Sequence, residues 1–596
     1  MQMEKEKFFQ LKTNPADFSV LLSGVFTIAR EMGANMERTA RAPIYYSAHD
    51  FTTAILNLDY EIIALAEYIP VLVGATPFAT RAVAKFFEND IHEGDVFLVN
   101  DPYTLDAGNQ MADWTIVYPV FFQGEHILWV ANKAHQQDTG GGVPGGYNPN
   151  AIDIYAEGLR IPPLRIFSRG KEVKDVFNLI MTNVRIPDTQ RGDLLSMIGA
   201  AKVGERRINT LIAQYGKEVF SIFIEDLLNY GEHTMREEIR KLPSGTYRGE
   251  IKGRREGASP IICDITIEGS DLIVDFSASG PMVSEYVNSP IANTTSATYQ
   301  AIMNSIGKKI KYRCGGCYRP IHIKTKPGTI THAVHPVTHG NCTNFIAKQI
   351  IEAVWDALAK AAPEIVPGGW GSINYWVFSG IDERRQEGYG SPDFLATSSG
   401  AGAIWGTDGW PTNGPTICSG TLYYPEIEVA EGIYPLRWEK WEWATDSGGP
   451  GKWRGGCGVD NIWVVESEKE PVYVAYAADP YDYELAPAIK GGKLPPPNQK
   501  MLVLANGKIE SSDDTRTKKF YILRKGDKAI DFVQGGCGVG DPLDRDISAV
   551  QEDVRDGLVS IASAEKDYGV IIDPVTFKVD LEATEKLRSE LKAKAK

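Results

Sequence analysis

Apolar positions recur at helical spacing near the start of the chain. Phe18, Leu21, Leu22, Val25, Ile28 and Met32 form one stripe behind Asn14-Pro15, a capping residue followed by proline in the first turn. The pattern predicts an amphipathic helix. Short apolar and alternating runs then mark strands at 52–58, 60–66, 95–99, 114–122 and 126–132, with a helix at 75–87 among them. Residues 191–215 and 217–242 carry two long helical patterns, the first stopped by Gly216 and the second by Pro243. An antiparallel β unit follows at 246–252, 260–268 and 271–276, then a helix at 292–306, a Gly/Cys turn at 313–318 and a long helix from Thr343 to Lys360. Beyond Pro363 the chain is rich in Gly, Trp and Tyr as far as Gly458, which predicts short strands and ordered loops. Strand patterns continue at 459–465, 472–476 and 501–505, and the stretch from Ser548 to Lys596 returns to helix. These elements predict an α+β class: a large mixed α/β body with several antiparallel β units and long helices. No internal repeat or low-complexity linker divides it, and three regions are expected, at 1–190, 191–362 and 363–596.

Charge and composition narrow the function. Lys+Arg 62 against Asp+Glu 77 leaves a net charge of −15 spread along the 596 residues, which argues against a general nucleic-acid binder. The charged stretch Met1–Asn14 has no apolar signal core, and no window of about 18 apolar residues is present to span a bilayer. Cys263, Cys314, Cys317, Cys342, Cys418, Cys457 and Cys537 are too sparse for a disulfide scaffold and fit a reducing compartment. A cytoplasmic protein without a membrane partner is expected.

Several motifs invite chemistry. The loop Gly140–Gly146 (GGGVPGG) lacks both GxGxxG and the Lys-Ser/Thr of a phosphate loop, and Gly448-Gly-Pro-Gly451-Lys452 is followed by Trp453 where a magnesium-binding hydroxyl is needed. Both Gly clusters, 140–146 and 448–458, are expected to be cavity-shaping turns. Cys314-Gly-Gly-Cys317 is half of a zinc-ribbon signature without its second half, so buried or loop thiols are the default. Pro336 and Gly340 break any helix that would align His332, His335 and His339, which read as surface or loop histidines. Trp370, Tyr375, Trp376, Trp405, Trp410, Trp441 and Trp443 are core or interface aromatics by default and pocket-lining ones as the alternative. Asp113 and His135 each stand at the edge of an expected strand near a Gly-rich loop, where a side chain can project into a cleft for metal ligation or acid–base work.

Three ordered segments carry a resemblance. Gly94-Asp-Val-Phe-Leu-Val-Asn-Asp-Pro-Tyr103, Ala134-His-Gln-Gln-Asp-Thr-Gly-Gly141 and Glu157-Gly-Leu-Arg-Ile-Pro-Pro163 resemble the hydantoinase B family. The likeness continues through Arg185-Ile-Pro-Asp188, Leu242-Pro-Ser-Gly-Thr-Tyr247, Ser447-Gly-Gly-Pro-Gly451 with Arg454-Gly-Gly456, and Gly540-Asp-Pro-Leu543 with Glu552-Asp-Val-Arg-Asp-Gly557. It implies a subunit of an ATP-dependent hydantoinase, oxoprolinase, lactamase or ketone carboxylase of the acetone or acetophenone type. ATP and Mg would then sit on a hydantoinase A-type partner, with a further small subunit as an additional possible component. The substrate would be a small ketone or a cyclic amide.

The resemblance also implies site residues. Asp113, His135 and Asp138 stand as catalytic candidates, and Asp113, His135 and Asp50 fall on positions at or near the family's metal site. Gly108-Asn-Gln-Met-Ala-Asp113 places Gln110 where metal-containing relatives have a His, and an amide oxygen replaces imidazole poorly toward a transition metal. A hydrolase relying on metal-bound water would lose its nucleophile generator with the metal, whereas a carboxylase joins an enolate to activated bicarbonate or CO2 without one. The expectation therefore leans to a ketone carboxylase. Hydrolysis of a cyclic amide is the alternative, and a non-catalytic assembly subunit is the third.

Overall fold

The first helix forms as its pattern predicts, at Pro15–Thr39, with the Asn14 side chain accepting from the Ala16 N–H at 2.9 Å. The computed structural model describes residues 9–148, 150–252, 259–478, 489–510 and 520–594. Parts of three expectations fall outside these residues: most of the charged N-terminal stretch, Pro149 of the loop after Gly146, and the last two residues of the C-terminal helical stretch.

The helix packs on an antiparallel sheet of β1 (Phe51–Leu56), β2 (Ile62–Ala66), β3 (Val96–Val99), β4 (Asp113–Phe122), β5 (Glu125–His135), β6 (Leu164–Ser168) and β7 (Lys171–Glu172). Their order is β2-β1-β5-β4-β3-β6-β7. Both faces of the sheet are covered, so its central strands are buried almost throughout. Ile116, Tyr118 and Val130 face a core shared with Met32 and Met197, from Pro15–Thr39 and the long helix Pro187–Tyr215. Val117, Trp129 and Ala131 face the other way, onto Ala79, Ala82 and Val83 of the helix Thr76–Phe86.

The helix Lys217–Ile239 leads to a second sheet of β8 (Gly245–Ile251), β9 (Ile261–Glu268), β10 (Asp271–Asp275) and β11 (Ile321–Lys324). The last strand pairs in parallel with β10 and had no clear sequence signal. The helices Ile291–Met303 and Ile346–Ala361 pack together, and the latter also lies against β8 and β9. Its apolar periodicity begins at Thr343, but the helix starts three residues later; Thr343 and Asn344 sit in the turn before it.

Two further sheets enclose a core around Trp376, Phe378, Trp463, Leu502 and Leu523. One comprises β12 (Asn374–Asp382), β13 (Glu387–Pro392), β16 (Val472–Ala478) and β19 (Phe520–Leu523). The other comprises β14 (Leu436–Trp443), β15 (Val459–Val465), β17 (Gln499–Val503), β18 (Ile509–Glu510) and β20 (Lys528–Phe532). The C-terminal stretch folds as the helices Ile547–Arg555, Ile561–Tyr568 and Leu581–Lys594. It is tied back by Arg545, which pairs with Asp408 at 2.7 Å and Asp553 at 2.8 Å. Mixed α+β architecture is what the sequence pattern predicts.

The second Gly cluster differs from its expectation. Residues 447–458 are not cavity-shaping turns but part of a layer in which backbone packs on backbone, with segments at 368–371, 400–403 and 535–539. Gly449 N–H donates to Gly536 O at 2.8 Å, Gly536 N–H to Gly456 O at 2.9 Å and Gly456 N–H to Ala401 O at 2.9 Å. A Cβ on Gly455 would lie inside the envelope of the Gly536 carbonyl, and one on Gly536 inside that of Ala401. Glycine is required there by the close approach of backbone segments. The first cluster needs glycine for a different reason, since Gly140, Gly141, Gly145 and Gly146 all adopt positive φ.

Candidate active site

Three neighbouring strands deliver the acidic and imidazole groups to one end of the first sheet. Asp113 is the first residue of β4 and His135 the last of β5, and the antiparallel register sets them directly opposite each other. Asp50 precedes β1 on the other side of β5, where its carbonyl accepts from His135 N–H at 3.0 Å. The two-residue turn Gln123-Gly124, with φ of 52° and 82°, starts the β4–β5 hairpin. A bulge at Val120/Phe121 then shifts the pairing by one residue; the register set by the turn alone would oppose Asp113 to Ala134.

The resulting pair is buried and hydrogen-bonded. His135 Nδ1 donates to Asp113 Oδ1 at 2.9 Å, and Asp113 Oδ2 accepts from Asn109 Nδ2 at 3.0 Å. Burial lowers the His135 imidazole, but the hydrogen bond to Asp113 and the charges of Asp50 and Asp113 outweigh it, leaving the pKa above its ordinary value. Burial pushes the Asp50 carboxyl up to about 6, with His135 pulling it down and Asp113 adding to the rise. Behind the pair the buried Lys133 donates to Thr115 Oγ1 at 3.0 Å and to the Asp113 carbonyl at 3.3 Å. Burial pulls its ammonium down to about 8 against the Asp113 charge.

Asp50, Asp113 and His135 line a cavity of about 50 Å³. Tyr147, Thr343, Asn344 and Tyr375 complete its polar side, and Ile44, Val71, Leu72, Ile373 and Ile417 are among its apolar walls. Asn344 Nδ2 lies 3.0 Å from the Tyr375 hydroxyl and 3.4 Å from that of Tyr147. The sequence reading missed Tyr147, Thr343 and Asn344. Tyr147 had one signal, its place directly after the Gly-rich loop; Thr343 and Asn344 were hidden inside a pattern that reads as continuous helix. Tyr375 fulfils the pocket alternative for its aromatic group, whereas Trp376 is core and Trp405, Trp410 and Trp443 are exposed.

Asp138 is not brought to the cavity. Its carboxylate accepts from Arg185 N–H at 2.8 Å, from Arg185 Nη1 at 3.0 Å and from Gly140 N–H at 3.2 Å, which anchors the Gly-rich loop. Other motif residues likewise hold the frame. Asn100 bonds to Met111 O at 2.8 Å, Leu159 O at 2.9 Å and Ile161 N–H at 2.7 Å. Glu157 accepts from His339 N–H at 2.6 Å and Gly340 N–H at 2.8 Å. This fixes the loop that continues to Thr343 and leaves His339 fully buried, a loop histidine and not a surface one. Cys314 and Cys317 are buried, as the default reading has it.

The donors that the resemblance would place at a metal site do not suit a transition metal as they stand. Asp113 and His135 are engaged with each other, and the one ligating atom of Gln110, Oε1, accepts from the Thr343 hydroxyl. The Gln110 amide nitrogen lies 3.4 Å from His135 Nδ1. Among the described residues no group of three or more His, Cys, Asp or Glu side chains is arranged to hold a metal ion. Nor is any helix among them long and apolar enough to cross a membrane.

Comparison with known proteins gives concordant matches. The sequence model of the family described as Hydantoinase B/oxoprolinase matches residues 14–542. Caprolactamase subunit beta of Pseudomonas jessenii is 35% identical over 567 residues, covering 94% of this chain and 96% of that protein. The crystal structure of the ATP-dependent caprolactamase from Pseudomonas jessenii superposes with a TM-score of 0.89 at 34% identity, covering 97% of this chain and 100% of the matched one. The acetophenone carboxylase delta subunit of Aromatoleum aromaticum is 26% identical over 597 residues, covering 91% of this chain and 84% of that protein.

Proposed function

Since the chain belongs to the hydantoinase B/oxoprolinase family, we propose that it is the ring-opening subunit of an ATP-dependent amidohydrolase acting on a small cyclic amide. The observation that carries this reading is the buried Asp113–His135 pair in a cavity with one polar side and apolar walls. The extent of likeness to the caprolactamase beta subunit supports an amide over a ketone, and moves the weight away from the carboxylase favoured by Gln110.

In this reading a hydantoinase A-type partner binds ATP and Mg and phosphorylates the amide oxygen, which makes the ring carbon electrophilic. Asp113 holds the proton on His135 Nδ1, so Nε2 is the free base. Water adds to the ring carbon as Nε2 takes its proton. The same proton passes to the ring nitrogen as the C–N bond breaks and the new hydroxyl gives up its own proton to form the acyl phosphate carbonyl; a second water then releases phosphate to leave an amino acid. Tyr147, Asn344 and Tyr375 supply donors for the oxygen that gains charge, and Ile44, Val71 and Leu72 offer the ring an apolar surface.

The carboxylase remains the second reading, favoured by Gln110. The purified complex of this chain with its ATPase partner separates the two. ATP-coupled opening of caprolactam, hydantoin or 5-oxoproline, lost in His135→Gln, is the expected result. Ketone- and bicarbonate-dependent ATP consumption without lactam opening would establish the carboxylase instead, and turnover unchanged in His135→Gln would make this chain an assembly subunit.

A further inference from the structure

A second pocket of about 820 Å³ lies beside the inner cavity. The two share a partition one residue thick. Asp50 lines the inner cavity and His49 the outer pocket; Ile69 lines the inner and Tyr68 the outer; Leu422 lines both. The partition is built of aromatic rings and strained backbone. The His49 ring is 4.5 Å from that of Tyr423, and His49 and Tyr68 adopt φ of 56° and 42°. His49 Nδ1 is buried without a hydrogen-bond partner among the described residues.

The segment that carries Leu422 is irregular. Ser419 is anchored by Gln300 Nε2 at 2.8 Å and Asn304 Nδ2 at 2.7 Å. Beyond it the Thr421 hydroxyl donates to Tyr68 O, and Tyr423 N–H reaches Ala48 O at 3.3 Å. The charges on the two sides differ. The inner cavity holds the carboxyls of Asp50 and Asp113, while the outer pocket sets Arg30, Lys311 and Arg313 against Glu37 and Glu67. Arg313 pairs with Glu67 at 2.9 Å, which leaves Arg30 and Lys311 against Glu37.

We propose that the outer pocket is a second binding site, the mouth of the inner cavity. It takes the oxyanion of an activated small molecule, a phosphate or a carboxylate, while the reacting ring passes Leu422 to reach His135. The division follows from electrostatics: an oxyanion is disfavoured beside two carboxyls and favoured where cations outnumber them. The role given to the ligand rests on the amidohydrolase reading; the site and its partition do not.

Cys418 reports on the partition, because it is buried, lines the inner cavity and lies four residues before Leu422. The full chain is treated with methyl methanethiosulfonate and modification is followed by peptide mass spectrometry, with buried Cys263 as the internal reference. Leu422→Ala is expected to speed Cys418 modification at least tenfold and Leu422→Trp to slow it, with Cys263 unchanged. Inorganic phosphate or acetate is expected to protect Cys418 in the unmodified sequence, and the double substitution Arg30→Gln, Lys311→Gln to abolish that protection. Protection by phosphate alone assigns a phosphoryl group; protection by acetate assigns a carboxylate. An unchanged Cys418 rate in both Leu422 variants, no protection by either anion, or protection that survives the double substitution overturns the proposal. Because labelling needs no turnover, a chain that behaves as expected here but opens no lactam with its partner would refute the amidohydrolase reading and leave this site standing.

Discussion

Two clusters of buried charge lie in two different cores, and the first of them lines a cavity. At the end of the first sheet, Asp50, Asp113 and His135 face a cavity with polar donors on one side. Between the last two sheets, Lys500 and Asp531 approach to 3.2 Å with both side chains fully buried. There Asn461 Nδ2 lies 3.0 Å from Asp393 and 3.2 Å from Asp531, the Trp463 indole donates to Asp393 at 2.9 Å, and the Lys500 ammonium sits 4.1 Å from the Trp376 ring centre. Burial raises Asp393 and lowers Lys500, perturbations as strong as those of Asp50 and Lys133 beside His135. Perturbed titration therefore does not distinguish a reactive group from a structural one. Space for a reactant does.

That contrast can be broken by mutation. The largest effect is expected from His135→Gln or Asp113→Asn in the assembled complex. Turnover should fall ~10²–10⁴-fold, the usual scale of a lost acid–base group, while the thermal midpoint moves little. A loss of folding without a specific loss of turnover would put this pair in the same class as the Lys500 cluster. Lys500→Met should do the reverse and leave Asp531 buried without its cation. A destabilisation of about 3–5 kcal/mol is typical of one broken buried pair and would be read by denaturant titration, with turnover per folded molecule retained.

A third prediction concerns alignment. Inserting one alanine between Val130 and Ala131, beyond the bulge, should set Asp113 opposite Ala134, so that turnover falls nearly as far as in His135→Gln while the far-ultraviolet circular dichroism spectrum persists. The smallest effect is on pH dependence. A base whose pKa is raised needs a higher pH to lose its proton, so turnover should fall on the acid side with a midpoint above the ordinary imidazole value of 6.5. Asp50→Asn removes a charge that favours imidazolium, and should shift that midpoint downward by a fraction of a unit in a rate–pH profile.

Much of the frame was legible in the sequence because periodicity and capping are local. The Pro15–Thr39 helix, β1 to β5 of the first sheet and the long pair of helices follow from spacing alone, whereas the short β6 and β7 do not. Asp113, His135 and Asp50 were each identifiable, but their meeting was not, since it depends on a bulge that no local pattern announces. Thr343 and Asn344 were obscured because the apolar period runs on into the turn before Ile346. Leu422 could not be linked to the site at all, because sequences far apart converge only in the fold. The Gly cluster at 448–458 was conspicuous yet misread, since glycine has no side chain from which a period or a face can be inferred.

The glycine layer has a kinetic consequence. Its segments come from 368–371, 400–403, 447–458 and 535–539 and hold one another through main-chain bonds such as Cys537 N–H to Gly369 O at 2.7 Å. Glycine loses more freedom on folding than any other residue, and each contact closes a loop of tens of residues or more before it gains a bond. Side-chain bonds of the layer such as Arg454 Nη1 to Gly455 O at 2.7 Å and Gly458 N–H to Ser447 Oγ at 3.0 Å stay within one of its segments. It should therefore assemble late, after the two flanking sheets have formed, and its amides should gain protection in the slowest phase of refolding.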